Sequence, residues 1–143
     1  MHARTQIRDA TIQAVTGLAL TGARVFAGQI YPLQEAELPG LCVYVNEESS
    51  QLVTRSTLSR ELSLKIEVYV KSNDDFDAIL DDIASDIEVA IASNFNLNAL
   101  VKDIHPSGLQ KDLIKDGEKP IGIAVLSFNC TYFTTHNNPD IIK

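Results

Sequence analysis

The sequence predicts an α+β domain, with a mainly antiparallel sheet of four or five strands and two helices packed on one face. Three observations predict it. Residues 60–71 alternate between apolar and polar side chains, which is typical of a strand with one buried face. Residues 76–91 carry apolar side chains at helical spacing. The segments follow the order helix, strands, helix, strands, and the length of 143 residues suits a single domain over residues 1–143.

The first element is a predicted helix over residues 3–16. Apolar side chains recur in it at helical spacing, and Gly17 would end it. Ile12 lies away from the middle of this apolar stripe, so we expect it to point outward. The stripe consists of Ile7, Ala10, Thr11, Ala14 and Leu18.

Two short strands follow the helix. Residues 23–27 are bracketed by glycines, and residues 41–46 place three apolar side chains on one face. Between them, Pro32 and Pro39 indicate irregular chain or an edge strand, because proline cannot donate a ladder hydrogen bond.

Residues 47–59 are predicted to form a loop, because the segment is polar and longer than a tight hairpin turn. The simplest interpretation is a plain surface loop. The alternative is a protruding arm that reaches a neighbouring subunit or lines a pore. The candidate contact residues of such an arm are Glu47, Glu48, Gln51 and Arg55.

Residues 60–71 form the clearest predicted strand, with Leu62, Leu64, Ile66, Val68 and Val70 on its core face. Tyr69 falls on the other, wet face beside Lys65 and Lys71. It is either an ordinary amphipathic surface residue or the anchor of a protein interface, where tyrosine is enriched. We therefore add Tyr69 to the candidate contacts.

The second helix is predicted to begin at Asn73 or Asp74 and to run to about residue 93. Its broad apolar stripe consists of Phe76, Ile79, Leu80, Ile83, Ala84, Ile87 and Ile91. Val89 points away from this stripe and is a candidate contact residue.

The last predicted strand, residues 120–132, is apolar on both faces. One face carries Ala124, Leu126, Phe128, Cys130 and Tyr132. The other carries Ile121, Ile123 and Val125 before it turns polar. A short chain has few layers to cover a sheet, so we expect the second face to meet another subunit. The candidate interface residues are Ile12, Val89, Ile121, Ile123 and Val125.

The remaining segments are less regular. A strand is predicted near residues 101–109, and Asp116-Gly117 would form the turn that precedes the last strand. Residues 134–143 are predicted to be a polar tail.

The motifs of catalysis and metal binding are missing from the sequence. The acidic residues of the second helix lack the alternating carboxylates and glycine of a calcium loop, which favours a solvated helix face, with divalent-ion binding as the alternative. The histidines are far apart, and neither a nucleophile elbow nor a phosphate loop is present. We therefore expect no enzymatic activity, no metal and no cofactor.

Charge and hydropathy argue against two further classes of protein, nucleic-acid-binding proteins and membrane proteins. The net charge is −7 and the basic residues are scattered, which disfavours stable binding to nucleic acid, although an acidic surface suits a protein that DNA slides past. The apolar runs are too short to cross a bilayer and no secretory signal is seen, so we expect no membrane partner. Cys42 and Cys130 are expected to be buried free thiols, since a disulfide would need neighbouring strands with suitable geometry.

Four stretches carry a resemblance to a known family: the opening HARTQIRDA, the segment TGARVFAGQIYPLQEAELPGLCVYV, the acidic helix DDFDAILDDIASDIEVAI and the ending PIGIAVLSFNCTYFT. Over roughly residues 2–134, the chain resembles the tail terminator proteins of long-tailed bacteriophages, the minor-tail-protein-U-like group. No motif of that group transfers residue by residue, so the candidate contacts above come from the sequence pattern alone.

The resemblance implies a subunit of a hexameric ring that caps the head-proximal end of the tail tube and stops tube polymerisation. The implied partners are further copies of the chain, the tail tube protein and a head-completion or neck protein, with DNA only in transit through the lumen. The implied location is the virion, at the head–tail junction, after synthesis in the bacterial host cytoplasm. A stopper or connector-completion protein of the neck is the nearest alternative. A small enzyme or metal-dependent regulator that uses the acidic helix, and a dimeric host protein, are alternatives of other classes.

Overall fold

A six-stranded sheet and two helices account for most of the chain that the structure describes, residues 1–28, 33–71, 75–114 and 120–143. In this computed structural model the helices are α1 (Ala3–Val15) and α2 (Phe76–Ser93). The strands are β1 (Val25–Ala27), β2 (Gly40–Thr54), β3 (Thr57–Lys71), β4 (Asp103–Ile114), β5 (Ile121–Thr135) and β6 (Asn138–Ile142). A short 3₁₀ turn spans Glu35–Glu37.

The sheet has the order β1-β2-β3-β5-β4, with β6 paired to β5 outside this path. β1 runs parallel to β2, and every other pair is antiparallel. The predicted α+β class and the mainly antiparallel sheet are thus confirmed. The predicted number of four or five strands is too low, because the segment after β5 contributes a sixth.

The main core lies between the two helices and one face of the sheet. α1 contacts β1, β2 and β6, whereas α2 contacts β3, β4 and β5, and the helices also touch each other. The predicted core faces of β3 and α2 supply most of its buried side chains. Ile12 is partly buried and packs against this core, so its predicted outward position is wrong.

β5 is an inner strand of the sheet, between β3 and β4. Its predicted core-facing residues are all buried in the main core, as expected from strand alternation: Ala124, Leu126, Phe128, Cys130 and Tyr132. Gly122 continues this face beneath α2, where a Cβ atom would lie 2.7 Å from the Phe76 ring. The glycine therefore lets the first turn of α2 approach the strand closely.

Residues 47–59 are not a loop. β2 continues to Thr54, a two-residue turn follows at Arg55 and Ser56, and β3 begins at Thr57. The polar sequence misled the prediction because the far half of β2 is exposed except at Glu48, so nothing there requires apolar alternation. The backbone ladder with β3 nevertheless holds the segment as a strand.

The predicted polar tail contains a strand. β6 pairs with β5 through Thr134↔Ile142 and Thr135↔Asn138, and Ile142 packs against the main core. Pro139 is compatible with this position, because β5 is the one strand that pairs with β6 in the described part of the chain and the other side of β6 needs no donor. Three further expectations fall outside the described residues: the α2 cap at Asn73 or Asp74, the turn at Asp116-Gly117, and the irregular chain at Pro32.

Both cysteines are buried thiols that are not joined in a disulfide, as predicted. Cys42 on β2 and Cys130 on β5 are separated by β3, and they belong to apolar clusters on opposite faces of the sheet. A disulfide between them is therefore excluded.

We expect both thiols to be unreactive in the folded protein. Burial raises the pKa of Cys130 to about 12, which suppresses the reactive thiolate, and Cys42 is only 4% exposed. A colorimetric thiol reagent at about pH 8 should react with neither, and with both after unfolding in denaturant. The control is Val53→Cys, which adds a thiol at an exposed hairpin position and should react at once. Equal reaction rates in the native parent and in this variant would contradict the packing described here.

Candidate functional site

The acidic face of α2 is paired with a lysine from the neighbouring strand β4. Lys111 on β4 bonds both Asp77 and Asp81, with its Nζ atom 2.8 Å and 2.7 Å from their carboxylate oxygens, and these bonds raise the pKa of the lysine. Among the residues that the structure describes, no group of three or more histidine, cysteine or acidic side chains could hold a metal ion. Within the same residues, neither helix is long and apolar enough to span a membrane.

The surface that distinguishes this domain is the sheet face opposite the helices, which we call the helix-free face. At one end it carries a second apolar cluster of Leu33, Cys42, Tyr69 and Ile123, all buried, with Phe26, Leu38, Ile121 and Val125 packed around them. Leu33 and Leu38 come from the segment between β1 and β2, so the chain itself covers part of this face.

Because Leu33 and Leu38 cover part of the helix-free face, two predictions need correction. Tyr69 was expected on a wet face and Ile123 on an open interface, but each is only 8% exposed. Ile121 and Val125 are half-buried and keep part of their surface available to another molecule. Within the described part of the second apolar cluster, Ile121 and Val125 at its rim are therefore the candidate interface residues that remain accessible.

Glu67 lies on the helix-free face next to the second apolar cluster. Tyr44 donates a hydrogen bond from its hydroxyl to Glu67 Oε1 at 2.7 Å, and Tyr69 donates one to Oε2. Burial and the bond to Glu67 raise the pKa of Tyr44 to about 12 and that of Tyr69 as well, so both phenols stay protonated donors at neutral pH. Both oxygens of the Glu67 carboxylate thus accept a hydrogen bond, which holds the two tyrosines in place at the edge of the apolar cluster.

The far end of the helix-free face is polar and acidic. Glu47, Ser49, Glu61, Ser63 and Asn129 line most of a shallow depression of about 510 Å³. Glu47 and Glu61 are exposed. Gln51 and Arg55, further along the hairpin, are exposed as well, so these three of the predicted arm contacts (Glu47, Gln51 and Arg55) are accessible.

Glu48 is the exception among the predicted arm contacts. An irregularity between Val45 and Glu47 shifts the strand alternation, which places Glu48 opposite Leu62 and turns it to the helix side. Its side chain is 12% exposed. Glu48 is thus largely engaged within the folded chain, and its contact with a tube or a lumen stays a prediction.

The Glu48 carboxylate joins four elements. Arg4 Nη1 on α1 and Arg60 Nη1 on β3 lie 2.5 Å and 3.0 Å from Glu48 Oε2, and the Tyr132 hydroxyl on β5 donates to Oε1. Burial alone would raise the pKa of Glu48, but the bonds from Tyr132, Arg4 and Arg60 outweigh it and lower that pKa. Sequence spacing gives no sign of this cluster, because its members are brought together only by the sheet register.

Val89 is exposed on the outer face of α2, as predicted. It lines a groove of about 360 Å³ with Gly17, Leu18, Ala19, Asp86 and Ala90. The structure does not gather the five predicted interface residues into one patch. Ile12 and Val89 lie on the helices, whereas Ile121, Ile123 and Val125 lie on the opposite side of the sheet.

The family model of phage minor tail protein U matches residues 2–132. The chain belongs to the phage minor tail protein U family. The resemblance inferred from the sequence is thus confirmed, and membership places this chain among the structural proteins of phage tails, not among enzymes.

A solved structure is similar to this chain at the level of the fold. A chain from the virion of a native gene transfer agent particle matches with a TM-score of 0.51 and 12% sequence identity, over 92% of this minor tail protein and 98% of that chain. At this identity the likeness shows a shared fold. No curated protein matches the sequence significantly.

Proposed function

We propose that this minor tail protein U family member is a tail terminator. Its copies form a hexameric ring that caps the head-proximal end of the tail tube, stops tube polymerisation and joins the tail to the head. The observation that carries this proposal is the family match over residues 2–132, nearly the whole chain. The ring acts at the head–tail junction of the virion, and its partners are the tail tube protein and a head-completion or neck protein.

The two faces of the sheet support a place in a ring. One face is closed by helices, whereas the helix-free face ends in exposed carboxylates and has Lys65 bonded to Ser127 at 2.6 Å. Each subunit brings a net charge of −7. If the acidic end faces the lumen, the ring repels phosphates and lets DNA pass without binding it. Glu47, Gln51 and Arg55 are the proposed lumen or tube contacts, and Val89, Ile121 and Val125 the proposed subunit contacts.

The decisive experiment is electron microscopy of lysates from a phage that lacks this gene. A terminator predicts abnormally long tails without heads, because tube addition no longer stops, and supplying the intact gene in trans should restore normal length. Tails of normal length beside unattached heads would assign the chain to the neck as a stopper or connector-completion protein. Normal, fully joined particles would refute both roles.

A further inference from the structure

The tip of the β2–β3 hairpin has the composition of a contact surface. Leu52 and Val53 are 53% and 57% exposed, and Arg55 follows them in the turn. Tight turns usually carry glycine, asparagine or aspartate, and two adjacent exposed aliphatic residues beside an arginine are more typical of an interface. Among the described residues, Arg55 is the arginine that has neither an ion pair nor a side-chain hydrogen bond.

The groove that Val89 lines on the outer face of α2, which we call the α2 groove, is complementary to this tip. Gly17, Ala19 and Ala90 are small and leave the space of about 360 Å³, while Leu18 and Val89 give it apolar walls. Asp86 supplies a carboxylate at the same groove, and no ion pair is found for it in the described part of the chain. The aliphatic pair and the cation of the tip therefore match an apolar groove whose carboxylate has no ion pair among the described residues.

The tip and the groove lie at opposite ends of α1. The start of α1 is bonded through Arg4 to Glu48 on the hairpin, whereas the groove begins at Gly17, just beyond the end of the helix. A helix of 13 residues is about 20 Å long. The tip therefore cannot reach the groove of its own chain. A contact between the two must join different copies through unlike patches, which is the kind of interface that closes a ring.

We propose that the hairpin tip of one copy docks in the α2 groove of the next, with Leu52 and Val53 against Val89 and Arg55 paired to Asp86. This inference rests on the proposed ring and names the surfaces that join neighbouring subunits. It assigns Arg55 to the contact between subunits instead of the lumen or the tube, which leaves Glu47 and Gln51 as the proposed lumen or tube contacts. The occupant is a second copy of this chain, because both halves of the complementary pair are present on it.

Disulfide trapping tests the contact directly. Full-length Val53→Cys and Val89→Cys chains, one with a size tag, are mixed at high concentration and oxidised. The native thiols are buried, so cross-links report the new positions. The mixed dimer should exceed either homodimer several-fold. Leu109→Cys, at a residue 56% exposed on β4, is the matched control and should give little product with Val53→Cys. The proposal would be overturned if mixed dimers and homodimers formed in the proportions of random pairing. It would also be overturned if Val53→Cys cross-linked equally well to Leu109→Cys and to Val89→Cys.

Charge reversal tests the pairing. Adding Arg55→Glu to the Val53→Cys chain should lower the mixed-dimer yield several-fold, and adding Asp86→Lys to its Val89→Cys partner should restore it. Asp82→Lys, at an exposed position earlier on the same helix, should not restore it. Failure of Asp86→Lys to rescue, or equal rescue by Asp82→Lys, would refute the pair. Trapping needs no tail tube, so a chain that cross-links as expected without capping tubes would refute the terminator role alone.

Discussion

Glu48→Ala is expected to destabilise the folded chain by about 3 kcal/mol, because it leaves a largely buried arginine without its partner. Arg60 is 11% exposed at its side chain, and its remaining side-chain bond is from Nε to Thr134 Oγ1 at 2.9 Å. The substitution also removes the acceptor of the Tyr132 hydroxyl and the bond from Arg4 that ties α1 to the hairpin. Urea unfolding followed by circular dichroism measures the loss.

Glu47→Ala is the matched control, since it removes the same carboxylate from the neighbouring position. Glu47 is exposed and lines the open depression of the helix-free face. Its loss should change the free energy of unfolding by no more than about 0.5 kcal/mol. Equal effects of the two substitutions would mean that the Glu48 cluster does not bear on stability.

The difference in unfolding free energy between the parent chain and Glu48→Ala should depend on pH. The pKa of Glu48 is lowered in the folded chain, so its contribution is present above the unfolded pKa of about 4.3 and is lost as the pH falls through the folded pKa. The stability gap between the parent and Glu48→Ala should therefore narrow on acidification below about pH 4.3. A gap that stays constant would show that the charge of Glu48 is not what stabilises the cluster.

The sequence predicts those parts of the fold in which the burial of one face imposes a regular spacing on the apolar residues. β3 and α2 lie against the main core along most of their length, so their apolar spacing reveals both the element and its inward face. The far half of β2 and the short strand β6 are held by backbone pairing at exposed edges, where side-chain pattern is not constrained. They were accordingly predicted as a loop and a tail.

The candidate site was harder to predict, because two local features of the fold change which residues are buried and which are exposed. The irregularity after Val45 turns Glu48 inward, although strict alternation from Val43 and Val45 would have turned Glu47 inward and Glu48 to the helix-free face. Leu33 and Leu38 cover Tyr69 and Ile123, but they come from an aperiodic, proline-containing segment that gives no sign of what it packs against. Val89 was predicted correctly, because a regular helix fixes its outward direction.

Ile123→Asp is expected to destabilise the isolated chain by at least about 3 kcal/mol, since it buries a carboxylate in an apolar cluster in which the Tyr69 hydroxyl already donates to Glu67. Ile123 is 8% exposed and packs with Leu33, Cys42 and Tyr69. The melting temperature should fall by roughly 10 °C, which thermal unfolding followed by circular dichroism would detect. In a domain of this size such a loss is a large share of the total stability.

Val125→Asp separates this effect from one on assembly. Val125 lies two residues further along β5 on the same face, but it is only half-buried and stands opposite Glu67 on β3. Its new carboxylate should cost about 1 kcal/mol through repulsion across the strands, leaving a folded chain whose self-association can be measured by sedimentation. If Ile123→Asp proved as stable as Val125→Asp, the second apolar cluster would not be packed in the isolated chain. Ile123 would then be free to meet a neighbouring subunit, as the two-sided apolar pattern of β5 first suggested.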